Sequence, residues 1–174
     1  MLLDNIRSHS RTLGDKPALV SGDVCISWGR LWPMACSLAA RLSRQGTAPV
    51  AVSGEREPWV GAAFLACLIA GRPYLPCPPS LPPVRRQAIL AQTGAQVLDR
   101  QEAEAGFAAG AVCTPASGPE RIAYLLFTSG STGQPKPVAV SMGNLEHFTA
   151  WAGALPGLDA AAREHFYDEL LHDL

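Results

Sequence analysis

This 174-residue chain has no stretch that could cross a bilayer as a helix: its longest apolar run, 59–70, falls short of the roughly 20 residues a span requires. Nor does it have the hydrophobic core of a secretory leader, since Asp4, Arg7 and His9 stand where that core would begin. Charge of one sign is missing too. The 14 lysines and arginines are balanced by 15 aspartates and glutamates, and a net charge of −1 argues against a nucleic-acid groove. No C-x-x-C pair occurs among the five cysteines, an odd number. Cys25, Cys36, Cys67, Cys77 and Cys113 are therefore expected to be reduced and buried or half-buried, as in a bacterial-type cytoplasm. Two common nucleotide signatures, G-x-x-x-x-G-K-[ST] and G-x-G-x-x-G, are absent around the glycine-rich segment 128–136.

What is present suits one folded, cytoplasmic domain: 48% hydrophobic residues in a chain long enough to bury a core. The patterning predicts a hairpin of 18–21 and 24–27 around Gly22-Asp23, a helix over 29–44 stopped by Gly46, and a strand at 50–53. A helix over 58–70 follows, with Pro58 in its first turn and Gly71 past its end, then a short strand at 74–76. Prolines 78, 79, 82 and 83 impose an extended turn before a helix over 83–93 stopped by Gly94, and 96–99 resumes strand. The βαβαβ succession predicts an α/β fold with a largely parallel sheet and flanking helices. Segment 101–119, rich in Ala, Gly and Pro, reads as a loosely ordered connection. Strands at 122–127 and 138–140, a helix opening at 144–151 and helical composition over 160–174 complete the reading.

The most informative stretch is Thr128-Ser129-Gly130-Ser131-Thr132-Gly133-Gln134-Pro135-Lys136. Its two glycines let the backbone turn so that successive N–H groups converge on an anion. Thr128, Ser129, Ser131 and Thr132 add rotatable hydroxyl donors, and Lys136 adds a positive charge. A flexible Gly/Ser connector is the bland alternative. Apolar strands on both sides argue instead for a loop held by a sheet.

The longer string from Tyr124 through Phe127 to Lys136 resembles the signature of the adenylate-forming enzymes: acyl-CoA synthetases, luciferases and nonribosomal peptide synthetase adenylation domains. Leu65-Ala66-Cys67-Leu68-Ile69-Ala70-Gly71-Arg72-Pro73-Tyr74-Leu75-Pro76, followed by Pro79, Pro82 and Arg85, is similar to an upstream segment of that family. Ile26-Ser27-Trp28-Gly29-Arg30-Leu31 and Ser141-Met142-Gly143-Asn144-Leu145 are similar to two more. Ser131 leans toward amino-acid-activating members, including D-alanine carrier-protein ligases. The resemblance implies ATP and Mg2+ as cofactors, a small carboxylic or amino acid as substrate, and a carrier-protein or coenzyme A thiol as acceptor. It assigns the ATP phosphates to Thr128, Ser129, Gly130, Ser131, Thr132, Gly133 and Lys136.

On this reading residues 1–174 form the N-terminal part of an AMP-binding domain, with strand, phosphate loop and strand over 121–145. The acyl pocket, the adenine and ribose contacts and the lysine of the mobile C-terminal domain would lie downstream, so no catalytic set is complete in this chain. A natural truncation, a split subunit and a cloned fragment stay open, and so does a non-catalytic remnant or interaction module. Exposed sheet edges are then expected to cause self-association. Three departures from the family stand out: Pro137 where glycine is usual, Met142 where histidine is usual, and Cys77-Pro78 where an acidic residue is common. Pro137 is tolerable if the family glycine only continues into the strand, and distorting if that position needs positive φ or an N–H. Four tryptophans, Trp28, Trp32, Trp59 and Trp151, read as core and interface, and Arg85-Arg86 as a solvated helix face. His165 and His172 share a helix face with Asp168 or Glu169, which reads as a solvated amphipathic helix in preference to a metal site.

Overall fold

The computed structural model describes residues 2–108, 111–129 and 135–154. The expected helix over 160–174, with His165 and His172, lies outside the described residues. Along the chain the elements are α1 (Leu2–Thr12), β1 (Pro17–Ser21), β2 (Val24–Ser27), α2 (Trp28–Arg44), β3 (Val50–Val52), α3 (Pro58–Ala70), β4 (Tyr74–Pro76), α4 (Pro83–Thr93), β5 (Gln96–Leu98), α5 (Arg100–Phe107), β6 (Ile122–Ser129), β7 (Pro135–Ser141) and α6 (Met142–Gly153).

β1 and β2 form the antiparallel hairpin expected around Gly22. The main sheet runs β5-β3-β4-β6-β7, parallel from β5 to β6, with β7 antiparallel to β6 at the edge. Apolar residues cover both faces, as a parallel sheet requires. On one face Val50, Val52 and Leu98 join α2, α3 and α5 in a core that includes Leu38, Leu42, Ala63, Cys67 and Ile69. On the other, Ala51, Leu75 and Cys77 pack under Ile89 of α4, with Leu125 and Phe127 beside them. α3 is apolar nearly all round, which is why it is the most deeply buried helix, and only Gly fits at 54, where a Cβ would come within 2.3 Å of the Trp59 ring.

Two expectations need correction, and one helix comes without a forecast. The connection over 101–119 is not loose throughout: α5 occupies its first part, started by Asp99, whose carboxylate accepts from the Glu102 amide at 2.8 Å. Its Ala and Gly content reflects close packing, with Ala103 fully buried and Gly106 lying against Leu38. α1 was not anticipated, because its single buried residue, Leu3, leaves a weak apolar signal. The cysteines are not all reduced and sheltered either. Cys36 and Cys113 form a disulfide across 77 residues, with S–S 2.12 Å and Cα–Cα 5.1 Å, while Cys25 is exposed and Cys67 and Cys77 are buried free thiols. No periodicity reports such a pairing, which arises because the chain after α5 folds back over α2, where the Ala111 amide also donates to Ser37 Oγ at 3.1 Å.

Candidate active site

The carboxyl ends of parallel strands are where open α/β sheets gather their ligands. At that end of β6 the register pairs Phe127 with Pro137, Thr128 with Lys136 and Ser129 with Pro135. Opposed residues of an antiparallel pair send their side chains to the same face, so the Thr128 hydroxyl and the Lys136 ammonium flank the mouth of the hairpin together. Both residues are exposed. Gly130, Ser131, Thr132 and Gly133 lie outside the described residues.

Pro137 sits within the ladder, and no non-glycine residue among those described has positive φ. Proline lacks an N–H, so a strand accommodates it only where the N–H would point away from its neighbour. Pro135 and Pro137 share that parity, which turns the backbone groups of Lys136, Val138 and Val140 toward β6. Position 137 continues the strand, and the loop residues 130–134 that it could distort lie outside the described residues.

The same parity turns the Phe127 carbonyl toward β4. That strand ends at Pro76 and pairs with β6 through Tyr74 opposite Tyr124, three residues before Phe127. Arg85 of α4 fills the gap, donating from Nη2 to the Phe127 carbonyl at 3.2 Å. Arg86 donates from Nη2 to Ser53 Oγ at 3.1 Å, at the end of β3. Both arginines are half-buried, so the expectation of a solvated helix face is corrected: the cations of α4 point at the strand ends. Sequence reasoning missed this because neither partner is near in sequence; the pair of arginines just inside a proline-started helix was the available signal.

Behind the mouth, Phe64, Tyr74 and Tyr124 stack in series, with centroids 4.2 and 5.4 Å apart, tying α3 to β4 and β6. Burial, then the neighbouring Tyr124 and Cys67, pushes the Tyr74 phenol well above its ordinary range, and burial raises Tyr124 as well. Both rings therefore stay neutral and serve as packing. Of the tryptophans, Trp59 is buried, Trp28 and Trp32 pack half-buried against the core, and Trp151 is 52% exposed. A cavity of about 590 Å3 lies between β1, β2, α2, α3 and α5 and shares no lining residue with the hairpin mouth. Among the described residues no three metal-ligating side chains cluster.

Residues 6–115 and 98–167 match the AMP-binding enzyme family. The chain belongs to that family. It is 32% identical over 171 residues to the D-alanine--D-alanyl carrier protein ligase of Bacillus licheniformis, covering 86% of this chain and 34% of that protein. It is 31% identical over 167 residues to the AMB antimetabolite synthetase AmbB of Pseudomonas aeruginosa, covering 84% and 13%. Among solved structures, the Klebsiella oxytoca NpsA N-terminal subdomain in complex with 3-hydroxyanthranilyl-AMSN superposes with a TM-score of 0.70 at 24% identity, covering 81% of this chain and 40% of that one. VinN in complex with L-aspartate gives 0.78 at 20% identity, covering 92% and 53%. These structural likenesses establish the shared fold. The chain spans about a third of the length of the D-alanine carrier-protein ligases it matches. No helix among its described residues is long and apolar enough to cross a membrane.

Proposed function

We propose that this chain is the N-terminal portion of an ATP-dependent adenylate-forming ligase that activates an amino acid or related carboxylic acid. In the first step a carboxylate oxygen attacks the α-phosphorus of ATP, the bond to the bridging oxygen breaks, and pyrophosphate leaves. In the second a thiol of a carrier protein or coenzyme A attacks the acyl carbon and AMP leaves. The observation that carries this reading is the hairpin mouth, where Thr128 and Lys136 face one another at the carboxyl end of a parallel sheet in a member of the AMP-binding family.

Thr128, Ser129, Gly130, Ser131, Thr132, Gly133 and Lys136 are the residues assigned to the ATP phosphates. A hydroxyl and an ammonium on one face supply a donor and a charge to a polyphosphate without moving, which is the kind of preorganised neutralisation phosphoryl chemistry needs. Mg2+ fits as the companion of the nucleotide, because it is commonly held through substrate phosphates and few protein ligands. Such a reaction draws on cytoplasmic ATP, and the amino-acid preference rests on Ser131 and on the named activities of the relatives.

The test is amino-acid-dependent exchange of pyrophosphate into ATP, run on the 174-residue chain alone and on the chain extended through whatever coding sequence follows Leu174. Exchange only in the extended protein is the expected result, with loss on Lys136→Ala. Binding of MgATP without exchange in either form would replace the ligase reading with that of a non-catalytic remnant or interaction module.

A further inference from the structure

We propose that Arg85 is a positioning residue of this site, holding the Phe127–Thr128 peptide so that Thr128 is presented at the hairpin mouth. The proposal rests on the reading of Thr128 as a phosphate contact. Its basis is the orphaned carbonyl. β6 runs past the end of β4, so the carbonyl groups it turns toward that side have lost their strand partner, and Phe127 is the last of them before Thr128. A backbone acceptor half-withdrawn from water is best satisfied by a protein donor, and Arg85 Nη2 supplies one at 3.2 Å.

Three features make this more than a stray contact. A guanidinium is planar and always charged, so its bond to a carbonyl is directional and charge-assisted. α4 is itself seated, by Ile89 in the core and by Arg86 on Ser53, so the arginine is offered from a fixed element. Arg85 Nε is buried with no hydrogen-bond partner among the described residues, which leaves the bond to Phe127 as the contact that orients the head group. Arg85 does not touch the nucleotide in this proposal; it acts through the peptide it holds.

The experiment compares the full chain with Arg85→Gln and Arg85→Lys by amide hydrogen exchange, thermal melting and MgATP titration. The expected result for Arg85→Gln is exchange about tenfold faster at Thr128 and its neighbours in β6 and β7, unchanged exchange in β3, an unchanged Tm and MgATP affinity about tenfold weaker. Arg85→Lys, which keeps the charge and a donor, is expected to recover most of both. Acceleration spread evenly over the sheet together with a lowered Tm, or no acceleration at Thr128, overturns the proposal. If the unmodified chain does not bind MgATP, the phosphate reading fails by itself, and the exchange pattern still decides whether Arg85 holds the strand end.

Discussion

Arg72 is the one charged residue among those described that is almost wholly buried, 2% exposed, and its partners explain why. Nε donates to the Ala48 carbonyl at 2.7 Å, and Nη1 to the Leu42 carbonyl at 3.1 Å and to Gln96 Oε1 at 3.2 Å. One side chain thus satisfies the end of α2, the approach to β3 and the start of β5. Arg72→Met would remove these three donated bonds, and the expected loss is about 3 kcal/mol in urea unfolding, with the midpoint falling and the slope unchanged. The neighbouring Cys67 titrates abnormally: burial pushes its thiol from 9.0 up to about 12, against a smaller opposing pull from Arg72. A raised folded value means the stabilisation is fully present below pH 9.0 and is lost as pH rises toward about 12, because the unfolded chain releases a proton that the folded chain keeps. Between pH 9.0 and the ordinary phenol value of 10.0, Cys67 should cost about 1 kcal/mol of stability, and Cys67→Ala should flatten the curve measured by melting. Buried Cys77 shifts in the same direction, so some slope persists in that variant. The sequence marked Arg72 only as part of a family-like string; its burial depends on three carbonyl-bearing or amide groups brought together from distant segments.

At the scale of elements, punctuation was legible and partnership was not. Gly71 and Gly94 end α3 and α4 in left-handed conformations, with φ of 74° and 61°, as their positions after apolar helices foretold. What the sequence did not reveal is that the two sites differ. A Cβ on Gly71 would lie 2.7 Å from the Ala116 Cβ, whereas one on Gly94 would meet nothing within 4 Å. Gly94→Ala should therefore cost about 1 kcal/mol, the backbone term alone, and Gly71→Ala about 2–3 kcal/mol, compared side by side by denaturant unfolding. β7 teaches a related lesson. Pro137 read from sequence as a departure that could distort the loop, and in the strand it shares with Pro135 the parity that leaves the ladder intact and removes donors from the open edge, a means of discouraging strand pairing. The capping box at Ser141 and Asn144 was half visible, as an Asn-Leu continuation, and in the structure it starts α6 directly from β7.

For the whole molecule, the disulfide and the sheet's strand order are the features with the longest reach. Cys36–Cys113 closes a 77-residue separation and pins the passage after α5 onto α2. Opening it with dithiothreitol should lower unfolding stability by about 2–4 kcal/mol, and Cys113→Ser should show the lower value with no further response to reductant. Iodoacetamide on the folded, oxidised chain should label exposed Cys25 and spare Cys67 and Cys77. The sequence by itself determined the order of most elements, the helix stops, the parallel character of the sheet and the glycine- and hydroxyl-rich string between two strands, because those follow from local periodicity, proline and glycine geometry and a contiguous motif. Only the tertiary structure decided that Thr128 faces Lys136, that Arg85 caps Phe127, that Arg72 is buried and that Cys36 meets Cys113. Each of these joins residues far apart in the chain or fixes a strand register, and register and long-range closure are set by the packing of whole faces against one another, which no local pattern encodes.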